Sequence, residues 1–316
     1  MQMDVVFAGP LTTVVDGGRH GYMNVGFSAG GAMDLYSMRL ANILVGNEMD
    51  EGALEMTFMG IEATFDSDTV IALTGADMSP QVNGQSVPMY EAVSLRRGDR
   101  LTMKKAESGM RCYLAVSGGF DIPKVMGSYS TNLKCGIGGF FGRKLKGGDA
   151  VPLRRSTRLI YPRSTYKENL YGKRIKIRVI LGPQDDYFTD KGISDFLSRS
   201  YTVSEKSDRM GIRLSGEPVE NKNGVDIISD AIAMGSVQIP ASGEPIIMMA
   251  DRQTTGGYAK IATVITADLG LLAQCYPGTE IRFTAISDSK AVKLLKKQNK
   301  HLLSLKRKLN FTKQRK

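Results

Sequence analysis

The 316-residue chain has no tryptophan, two histidines and three cysteines, and each scarcity removes a class of chemistry. Cys112, Cys135 and Cys275 lie far apart, form no paired spacing and leave an odd thiol over, which speaks against a disulfide framework and points to a reduced, cytoplasmic setting. With His20 and His301 as the whole histidine complement, a metal site built on His and Cys is excluded in practice. A Ser-His-Asp or Cys-His relay would have to use His20, which sits in a glycine-rich turn with no nucleophile beside it. No stretch approaches the roughly 20 apolar residues that span a bilayer. Pro10 interrupts the one N-terminal segment that could pass for a leader, so no signal peptide is expected. No GxxxxGK[ST] phosphate loop occurs, and residues 136–144 (GIGGFFGRK) match neither that loop nor a dinucleotide fingerprint set between a strand and a helix. Any ATP chemistry is therefore expected to fall to another polypeptide, with no cofactor and no metal held by this one. Met103-Lys104 resembles the lysine motif that carries biotin, but Lys105 follows and the flanks fit poorly, so a strand with solvated lysines is the better reading.

The formal net charge of +10 suggests a nucleic-acid partner until it is located. Of 42 basic and 32 acidic residues, 11 basic and one acidic lie between Asp288 and Lys316, which leaves 31 of each sign in the body. The main surface is thus balanced, and neither a nucleic acid nor a membrane is expected as a partner. Within the basic stretch, Val292, Leu295, Leu302, Leu305 and Leu309 recur at spacings that fit one helical face. The spacing predicts a C-terminal helix docked on the body and fraying into a solvated basic end, dispensable for stability.

The rest reads mainly as strands. Residues 69–74 (TVIALT), 175–181 (IKIRVIL), 245–250 (PIIMMA) and 280–286 (EIRFTAI) are short, apolar and bounded by turn residues such as Asn83-Gly84 and Pro277-Gly278. Helical patterns are fewer, at 33–46 with a Gly46 stop, 186–198 and 267–275. No regular alternation of strand and helix appears, so the expected class is mainly β, with β-barrels carrying a few helices. An internal repeat is discernible: 19–22 (RHGY) against 209–212 (RMGI), strand 69–74 with its Gly-Ala-Asp exit against 245–251, and 97–103 (RGDRLTM) against 277–283 (PGTEIRF). The order is kept and the offset drifts by loop-sized amounts, which suggests two related barrels joined near 162–174. The expected division is 1–172, 173–287 and the tail 288–316.

Chemistry collects in 236–274. An apolar strand delivers Asp251, Arg252, Gln253, Thr254 and Thr255 at its end, two glycines give the backbone freedom to turn, and Tyr258 and Lys260 follow. A carboxylate, an amide, hydroxyls, a phenol and an amine within ten positions suit the grip of a small amide or carboxylate, with Lys260 facing developing negative charge. The plainer account is a hairpin turn satisfied by its own Asp and Thr side chains. Asp251, Tyr258 and Lys260 are the catalytic candidates, and Gln238 and Gln253 the binding candidates. Arg209 and Arg213, four apart in SDRMGIR, suit a carboxylate fork, although on spacing alone a surface hairpin with ordinary ion pairs is the better account. Asp16 and Arg19 in the glycine-rich 9–34 segment suit a brace for that loop, and Ser28 to Asp34 a helix cap.

These same segments, 9–22, 28–34, 40–47, 53–60, 128–149, 207–214 and 236–274, resemble the allophanate hydrolase subunit 2 family, also called biotin-dependent carboxyltransferase-like, in order from Gly9 to Ser287. Val15 departs from the Gln common there, and the basic tail lies outside the resemblance. The resemblance implies two cyclophilin-like β-barrels and a partner of the allophanate hydrolase subunit 1 type. Free-standing bacterial members resemble the C subunit of an ATP-dependent 5-oxoprolinase, which with a B subunit and a separate A subunit opens the small lactam 5-oxo-L-proline to L-glutamate and is expected to be inactive alone. A urea- or allophanate-processing carboxyltransferase component and a non-enzymatic regulator that antagonises a kinase inhibitor are the other functions the family implies.

Overall fold

The computed structural model describes residues 1–155 and 171–314, so the expected junction near 162–174 lies outside the described residues as far as position 170. Two compact units result, the first made of Met1–Arg19, Gly30–Tyr171 and Asn299–Lys316, the second of His20–Ala29 and Gly172–Gln298. The chain is therefore not divided at two simple cuts. The glycine-rich segment 20–29 goes with the second unit, and the tail is not a body of its own.

In the first unit, strands Ala150–Pro152, Gln2–Phe7, Glu62–Phe65, Arg100–Thr102, Gln81–Val82 and Gln85–Ser86 form one sheet in that order, and Leu11–Val15, Ala53–Thr57, Ser108–Val116, Thr69–Asp77 and Ala92–Leu95 form another. Met3, Val5, Phe65 and Leu101 from the first sheet meet Val14, Met56, Leu73 and Leu114 from the second in one buried cluster. The second sheet is buried on its other face too. Alternate residues Val70, Ala72, Tyr113 and Ala115 join helix α1 (Leu35–Leu44) through Met38, Ala41 and Ile43. That double burial explains why 69–74 reads as an unbroken apolar run. The two sheets share a core without one hydrogen-bonded ladder joining them among the described residues, so only one of the two expected barrels closes through its hydrogen bonds.

Asp34 starts α1: its carboxylate accepts the Ser37 backbone N–H at 3.0 Å and the Ser37 hydroxyl at 2.7 Å, an N-cap of the kind that contributes about 1 kcal/mol. Gly46, with φ of 76°, stops it by donating its N–H to Ile43 O.

The barrel that closes is in the second unit. Strands Arg174–Leu181, Lys260–Val264, Ser236–Gln238, Ile246–Met248, Gly211–Ser215, Ser200–Val203 and Glu280–Ala285 follow one another around it. Closure comes from a parallel pairing of 174–179 with 280–285. Helix α2 (Asp190–Ser198), capped by Thr189, stacks Phe196 on Phe283 at 4.5 Å between ring centres. A short helix α3 (Leu269–Ala273) buries Leu269 and Leu272. A separate two-stranded ribbon, Asp226–Ala231 with Thr255–Tyr258, completes the unit.

Helix α4 spans Asp288–Gln314. Docking of this helix was expected; the depth of its anchoring was not. Leu302 and Leu309 are buried in the same cluster as α1, and Leu305 packs partly against it. The Tyr36 hydroxyl lies 2.7 Å from His301 Nδ1. The expectation that the tail is dispensable fails on those two leucines, because core aliphatic side chains near the end of a chain count as fully as any others.

Candidate functional site

The ribbon and the barrel strand 260–264 bring the amine expected to do chemistry to a carboxylate that residue spacing does not reveal. Lys260 is 2% exposed, yet its Nζ lies 2.9 Å from Asp230 Oδ2 on the ribbon, and Asp230 is half exposed. Gln184 spans the pair. Its Oε1 accepts the Lys260 backbone N–H at 3.2 Å, and its Nε2 lies 3.4 Å from Asp230 Oδ2. The ammonium beside it holds the Asp230 carboxyl below the usual aspartate range, with help from the Ala231 N–H, so it is ionised at neutral pH.

Register places one carboxamide, Gln238, beside this pair. Gln238 faces Lys260 across a bulged antiparallel pairing, and Gly256 faces Asp230 on the ribbon. Gln238 is 2% exposed, and its Nε2 donates a long bond of 3.4 Å to Tyr258 O. A Cβ on Gly256 would stand 3.0 Å from Gln238 Nε2, 3.0 Å from Gln253 Nε2 and 2.6 Å from Ile232 Cδ1. The missing side chain thus lets both amides and the ribbon close over the same spot. Gln238 and Gln253 thus approach each other over Gly256, with Lys260 across the strand pairing from Gln238. Tyr258 contributes its carbonyl to this group, while its ring is exposed.

The remaining candidates go elsewhere. Asp251 is held by Arg209 in a two-pronged pair, Nε to Oδ2 at 2.8 Å and Nη2 to Oδ1 at 3.1 Å, with the arginine buried. Both groups are committed to each other, which fits a brace at the end of strand 246–248 better than a catalytic carboxylate and a free fork. Arg213 is exposed on strand 211–215, so the two arginines form no joint carboxylate clamp. Arg252, by contrast, is buried and gives its Nε to Ile232 O at 2.9 Å and its Nη1 to Met249 O at 3.3 Å; burial lowers its pKa. It pins the root of the ribbon that carries Asp230.

In the first unit, Asp16 accepts Ser128 Oγ at 2.7 Å, Ser130 Oγ at 2.6 Å and Tyr129 N at 2.6 Å, and Arg19 donates to Val125 O and Ser130 O. This is bracing of the 125–130 segment. The glycines of 136–142 serve the same packing. Added Cβ atoms at Gly138, Gly139 and Gly142 would stand within 2.2 Å of Ser130 O, Thr131 Oγ1 and Gly136 O respectively. A phosphate cradle needs its backbone N–H groups turned outward to a ligand, and this segment is instead closed on its own chain. No group of three or more His, Cys, Asp or Glu placed to hold a metal occurs among the described residues.

Asp230 and Gln184 escaped sequence reasoning because they lie 30 and 76 positions from Lys260, on elements with no motif of their own. The one available signal was a carboxylate in an exposed strand pattern, 226–231, that otherwise has little reason to be placed. Together the site offers an ammonium, a solvent-facing carboxylate and three carboxamides, a set able to orient a small amide and to give or take a proton at its edge.

Comparison with known proteins supplies the family. Residues 25–285 match the family described as carboxyltransferase domain, subdomain A and B. The chain is 41% identical over 304 residues to the C subunit of the 5-oxoprolinase of Escherichia coli strain K12, covering 96% of this chain and 97% of that one. It is 32% identical over 323 residues to urea amidolyase of Saccharomyces cerevisiae, covering 96% of this chain and 18% of that one. The crystal structure of the K. lactis urea amidolyase superposes with a TM-score of 0.88 at 32% identity, over 96% of this chain and 20% of the larger one.

Proposed function

Because the chain belongs to the carboxyltransferase domain family, subdomains A and B, we propose that it is the C-type subunit of an ATP-dependent 5-oxoprolinase and works on the lactam at the Lys260–Asp230 site. The observation that carries this reading is the end-to-end match: 97% of the 5-oxoprolinase relative from E. coli is covered, against about a fifth of the urea amidolyases. The overall reaction breaks the lactam C–N bond, adds water across it to give glutamate, and is driven by ATP hydrolysis at another subunit. The enzyme is completed by a B subunit of the allophanate hydrolase subunit 1 type and by a separate A subunit, in the cytoplasm, where the three free thiols stay reduced.

In this reading Lys260 Nζ meets the negative charge that develops on the lactam oxygen, and Asp230 holds the amine in place. Low local dielectric around the buried lysine strengthens that contact relative to water. A second reading, a component of a urea or allophanate carboxyltransferase, is favoured by the TM-score of 0.88 to a urea amidolyase. Glutamate release from 5-oxo-L-proline and ATP, measured in a mixture of the three subunits with this chain present or omitted, tests the first reading. Urea-dependent turnover with a biotin carboxylase component tests the second.

A further inference from the structure

The outer wall of the closed barrel carries a charge pattern that the Lys260–Asp230 site does not use. Strand 174–181 exposes Arg174 and Lys176 and buries Ile177 and Val179, and strand 280–285 exposes Arg282 between buried Ile281 and Phe283. Register lines the exposed residues up across three strands. Lys176 sits beside Arg282 in the parallel pairing, and Arg282 faces Ser200 in the antiparallel one. In the next row Arg174 sits beside Glu280, its Nε 2.9 Å from Glu280 Oε2. That acid is engaged by Arg174, while Lys176 and Arg282 make no ion pair among the described residues. Neighbouring strands lie about 4.8 Å apart, and like charges on directly neighbouring positions destabilise a sheet. A single exposed lysine needs only water, but two cations held side by side by the backbone gain from an anion between them.

The same residues border a cleft. Arg174, Lys176, Ser200, Glu280 and Arg282, together with the main chain of Ile281, line a space of about 410 Å³. Small-ligand sites run from about 300 to 1,000 Å³, so the cleft has room for more than a single ion. Three cations against one carboxylate leave its lining with a net charge of +2. That charge suits a phosphoryl group, which carries about −1.5 to −2 near neutral pH, better than a lone carboxylate. Arg282 offers it a fork of N–H donors, Lys176 a point charge and Ser200 a hydroxyl. We propose that this cleft binds the phosphoryl group of a small ligand, either free phosphate or the terminal phosphate of a nucleotide. Side chains here take the part that backbone N–H groups take in a phosphate loop, so no glycine signature announces the site. Leu181 pairs with Ala262, which puts Lys260 at the opposite end of strand 174–181, roughly 20 Å along it from Lys176. Binding in the cleft therefore does not depend on which reaction the Lys260–Asp230 site serves.

The test is phosphate binding by the intact chain, followed by titration calorimetry and by the melting of the second unit, both at constant ionic strength. The native chain should bind inorganic phosphate saturably, and phosphate at about ten times its Kd should raise the second unit's midpoint by roughly 3–6 °C. Arg282→Gln and Lys176→Gln should each weaken binding by about tenfold or more and remove the phosphate-dependent shift. Without phosphate, both variants should melt at the native temperature or slightly above it, because each removes one of two neighbouring like charges. Lys134→Gln makes the same charge change at an exposed position of the first unit and should leave phosphate binding within about twofold of native. ADP in place of phosphate tells the two sources apart. Tighter binding than phosphate, lost in the same two variants, assigns the cleft to a nucleotide's terminal phosphate; binding no tighter assigns it to free phosphate. A phosphate response that does not saturate, or that Arg282→Gln and Lys176→Gln retain as fully as Lys134→Gln, reduces the cleft to general surface charge and overturns the proposal. A clear loss of stability in both cleft variants without phosphate overturns it too, since the two cations would then be structural.

Discussion

Leu302→Ala removes a side chain that is 2% exposed and packed into the cluster shared by α1 and the five-stranded sheet of the first unit. Buried Leu→Ala changes cost about 2–5 kcal/mol, and a value near 3 suits a helix at the edge of the structure, where the neighbours can partly collapse. For a unit of this size each kcal/mol moves the midpoint by about 2–4 °C, so the first unit's transition should fall by roughly 6–12 °C. Calorimetry of the intact chain reads this directly, and ending the chain at Ser289 should cost more, since Leu309 goes as well. Lys306→Ala, on the same helix, is the control. It removes an exposed ion pair to Glu48, a contact of the kind worth about 0–1 kcal/mol. A Leu302→Ala shift no larger than that of Lys306→Ala would refute the docking of α4 as described.

Two further perturbations follow from buried and titrating groups. Tyr201 packs at a tilt against Phe196 and Phe283, its hydroxyl has no partner among the described residues, and burial pushes its pKa up to about 12; Tyr201→Phe should therefore leave stability unchanged or raise it by up to ~1 kcal/mol, and a clear loss in urea unfolding contradicts this. Asp149 beside Arg143, Asp195 beside Lys191, Asp230 beside Lys260 and Asp66 bonded to the Gln2 N–H all have carboxyls held below their usual range. Their stabilisation is present above the unfolded value and lost as pH falls through the folded one. The melting temperature should stay flat from pH 8 to 5 and drop below about pH 4, and a drop between pH 8 and 6 would be inconsistent with carboxylates as the controlling groups.

Much of this fold was legible. Asp34 and Gly46 bracket α1 as cap and stop, and the runs 69–74, 175–181 and 280–285 are strands with their apolar residues buried, Ile177, Val179, Ile281 and Phe283 among them. What could not be read was partnership at a distance. Arg209 reads as a carboxylate holder and Asp251 as a catalytic carboxylate, and only folding brings the two into one ion pair. Lys260 was legible by residue type, but the bulge that sets it against Gln238 and the ribbon that brings Asp230 to it depend on pairings 20–30 residues apart. The tail leucines had the right spacing for a docked face. Their depth of burial depends on the α1 surface they meet, which no local pattern encodes.

We propose that this chain supplies part of a lactam-opening site with Lys260 and Asp230 at its centre. That role is tested most directly by initial rates of glutamate release in the three-subunit mixture containing the native chain, Lys260→Met, Asp230→Asn, or no chain. Removing a charge that stabilises developing negative charge costs on the order of 100- to 1,000-fold in kcat. Lys260→Met should therefore approach the rate without the chain, and Asp230→Asn should fall between it and the native rate, with both variants still folded and bound to the B-type partner. Glutamate released at the full rate without this chain, or at the native rate with Lys260→Met, would rule out a lactam-opening role for this site.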